Sequence, residues 1–362
     1  MMGVLLYLSV AILSILLAYR VVPQAQTVKG SKTEAANRYV LTGLILFLSL
    51  ISALRVNTGN DYQTYIDHFH DVYVGNYVVT EPGFNILVKG IYGALDGEYY
   101  LVIFAVFALA TVTGSVLAIY GQSNDFVMSF SLFMLFGLYF QSFNTVRYYF
   151  VLALAIYAYR CVIRREYVRF LAVIVIAAAF HKSVLLVIPL YLIAVLPWKK
   201  WLYPVIGTGI VSGWIFKDVY TALFFRYYPS YENETQYFSG NSVSWVNVAR
   251  IIAVLALCYW LGKDTVEKDR KQRFYLHLNV MALALYIGFY YLPFLSRIGY
   301  YMSAGQIFLI PEMLARAGDK EKKILRIAIY ALAAIYFLFF LREATKINIR
   351  ILPYSTWLTA AP

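Results

Sequence analysis

The sequence predicts an all-α protein, a polytopic bundle of about twelve hydrophobic segments that cross or enter a membrane. Of its 362 residues, 61% are hydrophobic and only 14% are charged, whereas soluble domains carry about 25% charged residues. The apolar runs approach the length of about 20 residues that a helix needs to cross a bilayer. They lie near 3–19, 38–54, 99–120, 125–141, 147–163, 168–180, 183–197, 200–216, 246–262, 274–292, 297–315 and 324–341. No composition break marks a soluble part, so one integral membrane domain is predicted over residues 1–362.

The positive charge of the chain follows a membrane topology and does not indicate a nucleic-acid partner. The formal net charge is +12, but the basic residues stand at the ends of apolar runs, where they mark the cytoplasmic side. The first run has no basic residue before it and Arg20 after it, the wrong polarity for a cleaved signal peptide. Cys161 and Cys258 lie in different apolar runs without metal-ligand spacing, so both are expected to be packing residues.

The segments 168–180 and 183–197 form either one long helix or two short helices that meet at His181. Basic residues lie before the pair, at 160–169, and after it, at 199–200. Because basic loops mark the cytoplasm, both ends are expected inside, and the chain must turn between them. With this turn the inner loops carry 20 of the 31 Lys and Arg residues. The charge pattern therefore favours two helices broken at His181.

This topology leaves two long non-cytoplasmic loops, at 55–98 and 217–245. The first contains two stretches with apolar residues at helical spacing, which predict short helices at the membrane interface. Their apolar faces comprise Tyr62, Tyr65, Ile66, Phe69 and Tyr73, and Phe84, Leu87, Ile91 and Leu95. The second loop is rich in tyrosine. Aromatic rings suit sugar binding, but they are also common at membrane interfaces.

Polar residues concentrate at the predicted outer ends of the apolar runs. A cation buried within a membrane costs roughly 3 kcal/mol and usually faces a cavity or a partner. A single arginine at a helix end also extends to lipid headgroups, but the whole set, with its polar flanks, predicts one outward-facing site. The set comprises Arg55, Arg147, His181, Lys182 and Arg297.

Two acidic residues in the first outer loop have both a structural and a functional interpretation. Asp61 precedes the first loop helix and Glu81 precedes the second, so each carboxylate either caps its helix or serves the outer cations. The cluster at 67–71 resembles metal ligands, but His68 and His70 point about 200° apart on a helix. That cluster is expected to be solvated surface. No metal site and no cofactor are predicted, and the question of whether a divalent metal assists is left open.

Several common signatures are missing from the sequence. It contains no GxxxxGK[ST], GxSxG or HExxH, so the usual motifs of nucleotide-driven pumps, serine hydrolases and zinc proteases are excluded.

The outer polar residues stand in an order that resembles the EpsG family, which is related to the Wzy-type polysaccharide polymerases. The matching stretches are Leu54-Arg55-x3-Gly59-x-Asp61-Tyr62-x2-Tyr65, Glu81-Pro82-Gly83-Phe84, Asn144-x2-Arg147, Ala179-Phe180-His181-Lys182-Ser183, Arg297-x2-Tyr300-Tyr301 and Pro353-Tyr354. The resemblance covers most of the chain.

This resemblance implies a GT-C-like membrane glycosyltransferase architecture in the bacterial cytoplasmic membrane, with the active site facing the periplasm or the exterior. The implied activity joins oligosaccharide repeat units carried on undecaprenyl pyrophosphate, which serve as donor and acceptor. Membrane lipid, a chain-length regulator and a flippase are the further partners that it implies.

Within that activity the residues suggest a division of roles. Arg147, Lys182 and Arg297 are expected to hold the pyrophosphate, because cations stabilise the negative charge that grows on a leaving group. Asp61 and His181 are the candidate bases for the acceptor hydroxyl. Arg55 is expected to orient Asp61 or Glu81. The implied substrate-binding set also includes Tyr62, Tyr65, Asn144, Tyr300 and Tyr301.

Other activities share parts of this pattern. A glycosyltransferase that uses a polyprenyl-phosphate sugar would also have an acidic residue in its first outer loop, and an O-antigen ligase shares the donor and the topology. A lipid-linked oligosaccharide flippase, which is not an enzyme, would be expected to have two related halves and a site reachable from both faces. No internal repeat is visible and the polar residues are one-sided, so an enzyme is favoured.

Overall fold

The computed structural model describes residues 2–227, 243–262, 266–292, 295–346 and 349–357. These residues form helices and one short antiparallel strand pair, so the all-α prediction is confirmed. The helices are α1 (Met2–Ala18), α2 (Lys32–Ala53), α3 (Tyr62–Val74), α4 (Pro82–Leu95), α5 (Tyr100–Gln122), α6 (Phe126–Leu135), α7 (Leu138–Gln141), α8 (Val146–Ile163), α9 (Tyr167–Ala178), α10 (Val187–Ala194), α11 (Leu202–Ile215), α12 (Lys217–Tyr227), α13 (Trp245–Gly262), α14 (Arg270–Gly288), α15 (Leu295–Ser303), α16 (Gln306–Leu314) and α17 (Asp319–Glu343). The strands are β1 (Arg55–Val56) and β2 (Ser355–Thr356), and 3-10 turns lie at Gln24–Gln26 and Lys182–Leu186.

Among the described residues, five helices are long and apolar enough to cross a membrane, namely α2, α5, α8, α13 and α17. Several shorter apolar helices accompany them, and the chain is a multi-pass membrane protein. Two predicted segments are interrupted. Gly137, with φ +74°, separates α6 from α7, and α15 ends at Ser303 before α16 begins at Gln306. The count of twelve segments and the GT-C-like architecture stay predictions.

The chain groups into two compact units. The first comprises Met1–Cys161, Tyr167–Leu185 and Gly318–Pro362, and the second comprises Val162–Glu166 and Leu186–Ala317. The single membrane domain stays a prediction.

In the first unit, the two helices predicted in the first outer loop are confirmed as α3 and α4. Their aromatic faces pack together and against Phe104 and Phe107 of α5, so the loop has a core of its own. The apolar faces are shorter than predicted, because Tyr73 and Leu95 at the helix ends are about half exposed (50% and 45%). The buried members of the two faces are Tyr62, Tyr65, Phe69, Phe84, Val88 and Tyr92.

The predicted break at His181 is confirmed, since α9 ends at Ala178 and a 3-10 turn begins at Lys182. A broken helix frees backbone carbonyls that need new donors in a membrane protein. Gly83 supplies one, since its N–H donates to the Ala179 carbonyl over 2.8 Å. A Cβ at position 83 would lie 2.7 Å from that carbonyl oxygen, so this approach requires glycine. The contact places the start of α4 against the break.

In the second unit, α14 is the central helix and packs against α10, α11, α13 and α15. His277 of α14 is buried, and its Nδ1 donates to the Ala194 carbonyl over 2.8 Å. Its ring stacks on Trp198 with 3.9 Å between the ring centroids. Cys258 is buried here and Cys161 is buried in the first unit, as predicted for packing residues. Most of the predicted tyrosine-rich loop, residues 228–242, lies outside the described residues.

Candidate active site

Three elements of the first unit bring a carboxylate and three basic residues together. They are the start of α4, the start of α8 and the break after α9. Arg147 Nη1 lies 2.5 Å from Glu81 Oε2, and His181 Nδ1 lies 3.4 Å from Glu81 Oε1. The backbone N–H of Lys182 donates to the same Oε1 over 3.0 Å, while the Lys182 side chain is exposed. The side chains of Arg147, Glu81 and His181 are 13–16% exposed, so the cluster is largely shielded but reachable.

The Glu81 carboxylate is held in its charged form. Burial by itself raises the pKa of Glu81, but the neighbouring His181 imidazole, the Lys182 N–H and the Arg147 guanidinium together outweigh it. They lower the pKa to about 2. Glu81 makes no capping hydrogen bond to α4, although it occupies the N-cap position, so the interpretation of this side chain as a cap is wrong.

Arg147 is positioned by both loop helices. Its guanidinium lies 5.0 Å from the ring centroid of Phe84 on α4 and 5.8 Å from that of Tyr65 on α3. Its backbone N–H donates to the Tyr65 hydroxyl over 3.3 Å. Cation–π contacts of this kind stabilise a partly desolvated guanidinium. The aromatic core of the loop therefore serves as the support for the cation.

Asp61 is joined to the same end of α8. Thr145 Oγ1 donates to Asp61 Oδ2 over 3.0 Å, and the Asp61 N–H donates to Asn144 Oδ1 over 3.2 Å. The Asp61 side chain makes no capping hydrogen bond to α3, so this second cap interpretation is also wrong. Thr145 was missed by the sequence reasoning, although it lies between two residues of a matching motif, Asn144 and Arg147.

Arg55 does not have the predicted role. It is 1% exposed, and its guanidinium hydrogen-bonds to Ser52 and lies 5.2–5.3 Å from the ring centroids of Phe104 and Phe143. Among the described residues it forms no ion pair with Asp61 or Glu81. The prediction that Arg55 orients one of these acids is therefore wrong, because Arg147 pairs with Glu81 and Thr145 donates a hydrogen bond to Asp61.

The remaining predicted residues divide between the two units. Tyr62 and Tyr65 are buried in the aromatic core of the loop, and Tyr62 stacks on Phe104 with 4.7 Å between centroids. Arg297, Tyr300 and Tyr301 lie on α15 in the second unit. Tyr301 is buried there, and their roles in substrate binding stay predictions. The predicted residues linked by direct contacts are Asp61, Tyr65, Glu81, Asn144, Arg147, His181 and Lys182.

The cluster predicted as solvated surface carries two exposed residues, Asp67 and His70. His70 pairs with Glu98 at 3.1 Å and Asp67 accepts from Gln63, whereas His68 is partly buried.

The Glu81 cluster gives the folded protein a specific dependence on pH. Because the folded pKa of about 2 lies below the ordinary value of 4.5, Glu81 stabilises the fold fully above about pH 4.5, and this contribution is lost as the pH falls towards 2. We expect Glu81→Gln to flatten the acid side of the melting-temperature profile between pH 5 and 3, and Asp67→Asn to keep the wild-type slope. Thermal unfolding in lipid nanodiscs measures both. Parallel profiles for wild type and Glu81→Gln would contradict the charged cluster.

Comparison with known proteins gives one family. The family model described as the EpsG family matches residues 38–356. No curated protein and no solved structure matches the chain. The matched range begins within α2 and runs to the end of β2, so it includes every residue of the cluster around Glu81 and Asp61. This multi-pass membrane protein therefore belongs to the EpsG family.

Proposed function

We propose that the protein is a membrane glycosyltransferase, a polysaccharide polymerase that joins undecaprenyl-pyrophosphate-linked oligosaccharide repeat units on the outer face of the bacterial cytoplasmic membrane. The observation that carries the proposal is the cluster of Arg147, His181 and Lys182 around Glu81, joined through Asn144 and Thr145 to Asp61. Membership of the EpsG family supports an exopolysaccharide-related polymerase.

The proposed reaction transfers the growing chain from its lipid carrier to a newly delivered unit. A hydroxyl oxygen at the non-reducing end of the acceptor attacks the anomeric carbon of the donor sugar. The bond between that carbon and the pyrophosphate oxygen breaks, and lipid pyrophosphate leaves with the electron pair. The hydroxyl proton passes to a protein base. Negative charge therefore grows on the leaving oxygen, where fixed cations lower the barrier.

The cations of the cluster suit the leaving pyrophosphate. Arg147 presents a planar guanidinium that binds phosphate oxygens through two N–H groups. Glu81 fixes Arg147 in one orientation through its 2.5 Å ion pair, and the exposed Lys182 amine supplies further positive charge. In this assignment Glu81 is a positioning residue, because a carboxylate with a pKa of about 2 is a poor base near neutral pH.

Asp61 is the proposed base for the acceptor hydroxyl. Within the described part of the chain its carboxylate accepts one side-chain hydrogen bond, from Thr145, whereas three groups contact the Glu81 carboxylate. His181 is the second candidate, since its ring is oriented by Glu81 in the way that a carboxylate orients a catalytic imidazole.

The test uses the purified protein in lipid nanodiscs with a defined undecaprenyl-pyrophosphate-linked repeat unit, with and without a metal chelator. We expect a product ladder spaced by whole repeat units that forms without added nucleotide sugar. A single added sugar that requires a polyprenyl-phosphate donor would favour the alternative transferase, and transfer onto a lipid core would favour a ligase. Transbilayer movement of the substrate without a ladder would overturn the enzyme in favour of a flippase.

A further inference from the structure

A C-terminal segment of the first unit runs along the loop that leads to Asp61. Residues 349–357, here called the strap, lie beside residues 54–61, here called the Asp61 loop. β2 of the strap pairs with β1 of the loop, with Arg55 opposite Thr356 and Val56 opposite Ser355. Three further backbone donors join the two: Trp357 N–H to the Leu54 carbonyl at 3.3 Å, Gly59 N–H to the Arg350 carbonyl at 2.8 Å and Ser355 N–H to Thr58 Oγ1 at 3.4 Å.

The strap is itself fixed to the helices around it. Ile351 and Leu352 are buried at 0% and 3% exposure. The Tyr7 hydroxyl of α1 donates to the Ile351 carbonyl over 2.6 Å, and the Tyr354 hydroxyl donates to the Ile51 carbonyl of α2 over 2.7 Å. A segment anchored in this way transmits the position of α1 and α2 to the Asp61 loop.

The contact between strap and loop uses strained backbone. Asn57 and Arg350 have left-handed φ angles of +49° and +44°. Residues other than glycine adopt this backbone conformation when surrounding contacts enforce it. Arg350 Nη2 donates to Asn57 Oδ1 over 3.3 Å. Gly59, with φ +102°, fits between the strap and the turn at 143–145 that precedes α8, because a Cβ there would lie 2.5 Å from the Phe143 carbonyl oxygen.

The Asp61 loop is therefore held from two sides. On one side is the strap, and on the other is the turn at 143–145, whose Asn144 and Thr145 bind Asp61. We infer that the strap is a positioning element of the active site and that the backbone of Arg350 positions the loop, because its left-handed conformation orients the carbonyl that accepts from the Gly59 N–H and so sets the direction of Asp61. This inference rests on the proposed function.

The test compares two variants of Arg350 that differ in backbone freedom. Proline fixes φ near −65° and cannot keep the left-handed conformation, whereas glycine keeps it without strain. We expect Arg350→Pro to lower kcat about 10- to 100-fold with KM within about threefold, because small errors in the position of a catalytic group cost rate more than binding. Arg350→Gly, the conservative variant, is expected to retain kcat within about threefold.

Amide hydrogen exchange gives a readout that does not depend on activity. We expect faster exchange of residues 55–61 in Arg350→Pro and not in Arg350→Gly, with the amides of α8 unchanged in both. Unchanged exchange in Arg350→Pro, or equal loss of kcat in both variants, overturns the inference. If the wild-type protein makes no ladder but Arg350→Pro still shows faster exchange, the proposed function is overturned. The contact between the strap and the loop would stand.

A cross-link tests the same point without relying on the stability of Arg350→Pro. Val56 and Ser355 are directly opposite each other, so their Cβ atoms are expected to lie about 4.5–5.5 Å apart. We expect the doubly substituted protein, Val56→Cys with Ser355→Cys, to keep its ladder when the new cysteines are oxidised. The native Cys161 and Cys258 are buried and are not expected to react with the oxidant. Loss of the ladder on oxidation, restored by a reductant, would mean that the strap must leave the loop during turnover, and the inference would fail.

Discussion

Replacing Arg147 with alanine is expected to lower kcat for chain extension by about 10²- to 10³-fold, the cost of removing one fixed donor from a developing negative charge. The guanidinium contacts Glu81 at 2.5 Å and lies over two aromatic rings, so it is held in one place. Arg147→Lys keeps the charge but loses the planar donor pair, so an intermediate rate is expected. Quantified product ladders at saturating substrate measure kcat.

The matched control for this variant lies on the same helix. Arg160, near the other end of α8, has its guanidinium 5.6 Å from the ring centroid of Tyr157, and Arg160→Ala is expected to leave the ladder intact. Removing Arg147 also leaves Glu81 without its closest cation, which destabilises a shielded carboxylate. The double variant Arg147→Ala with Glu81→Gln separates the two effects, because it should recover thermal stability and not activity. Recovery of activity in the double variant would mean that Arg147 acts only by neutralising Glu81.

The sequence alone predicts those features of the site that are local in the chain. Charge on both sides of 168–197 is enough to predict the break at His181, and apolar residues at helical spacing are enough to predict α3 and α4. The interruptions at Gly137 and after Ser303 are harder to predict, because the flanking residues are as apolar as those of an unbroken span.

Partner choice within the site depends on contacts between residues that are far apart in the sequence. Glu81 meets Arg147 66 residues later and the Lys182 N–H 101 residues later, and this pairing requires α4 to pack against the break after α9. Arg55 is enclosed because its guanidinium lies against the rings of Phe104 and Phe143, which come much later in the sequence. No spacing rule distinguishes an arginine that will be enclosed from one that will face substrate. Both arginines follow or open an apolar run with polar neighbours, and only the packing separates them.

Replacing Asp61 with asparagine tests the base directly. Asparagine has the same shape and can still accept from Thr145 Oγ1 through its side-chain oxygen, but it cannot take up the proton of the acceptor hydroxyl. We expect kcat to fall by about 10²- to 10⁴-fold, the usual contribution of general base catalysis, with substrate binding largely kept. Product ladders and a binding assay with the lipid-linked unit measure the two separately.

Two companion variants decide whether that loss reflects proton transfer or position. Thr145→Val removes the donor that orients the Asp61 carboxylate while keeping a similar side-chain shape, so it should cost less than Asp61→Asn. Asp67→Asn changes an exposed carboxylate on α3, the helix that Asp61 precedes, and should leave kcat unchanged. Asp61→Asn could keep more than about one tenth of the wild-type kcat while His181→Gln abolishes the ladder. In that case His181 shows the loss expected when a general base is removed. The Glu81–His181 pair would then provide the base, and Asp61 would only orient the acceptor.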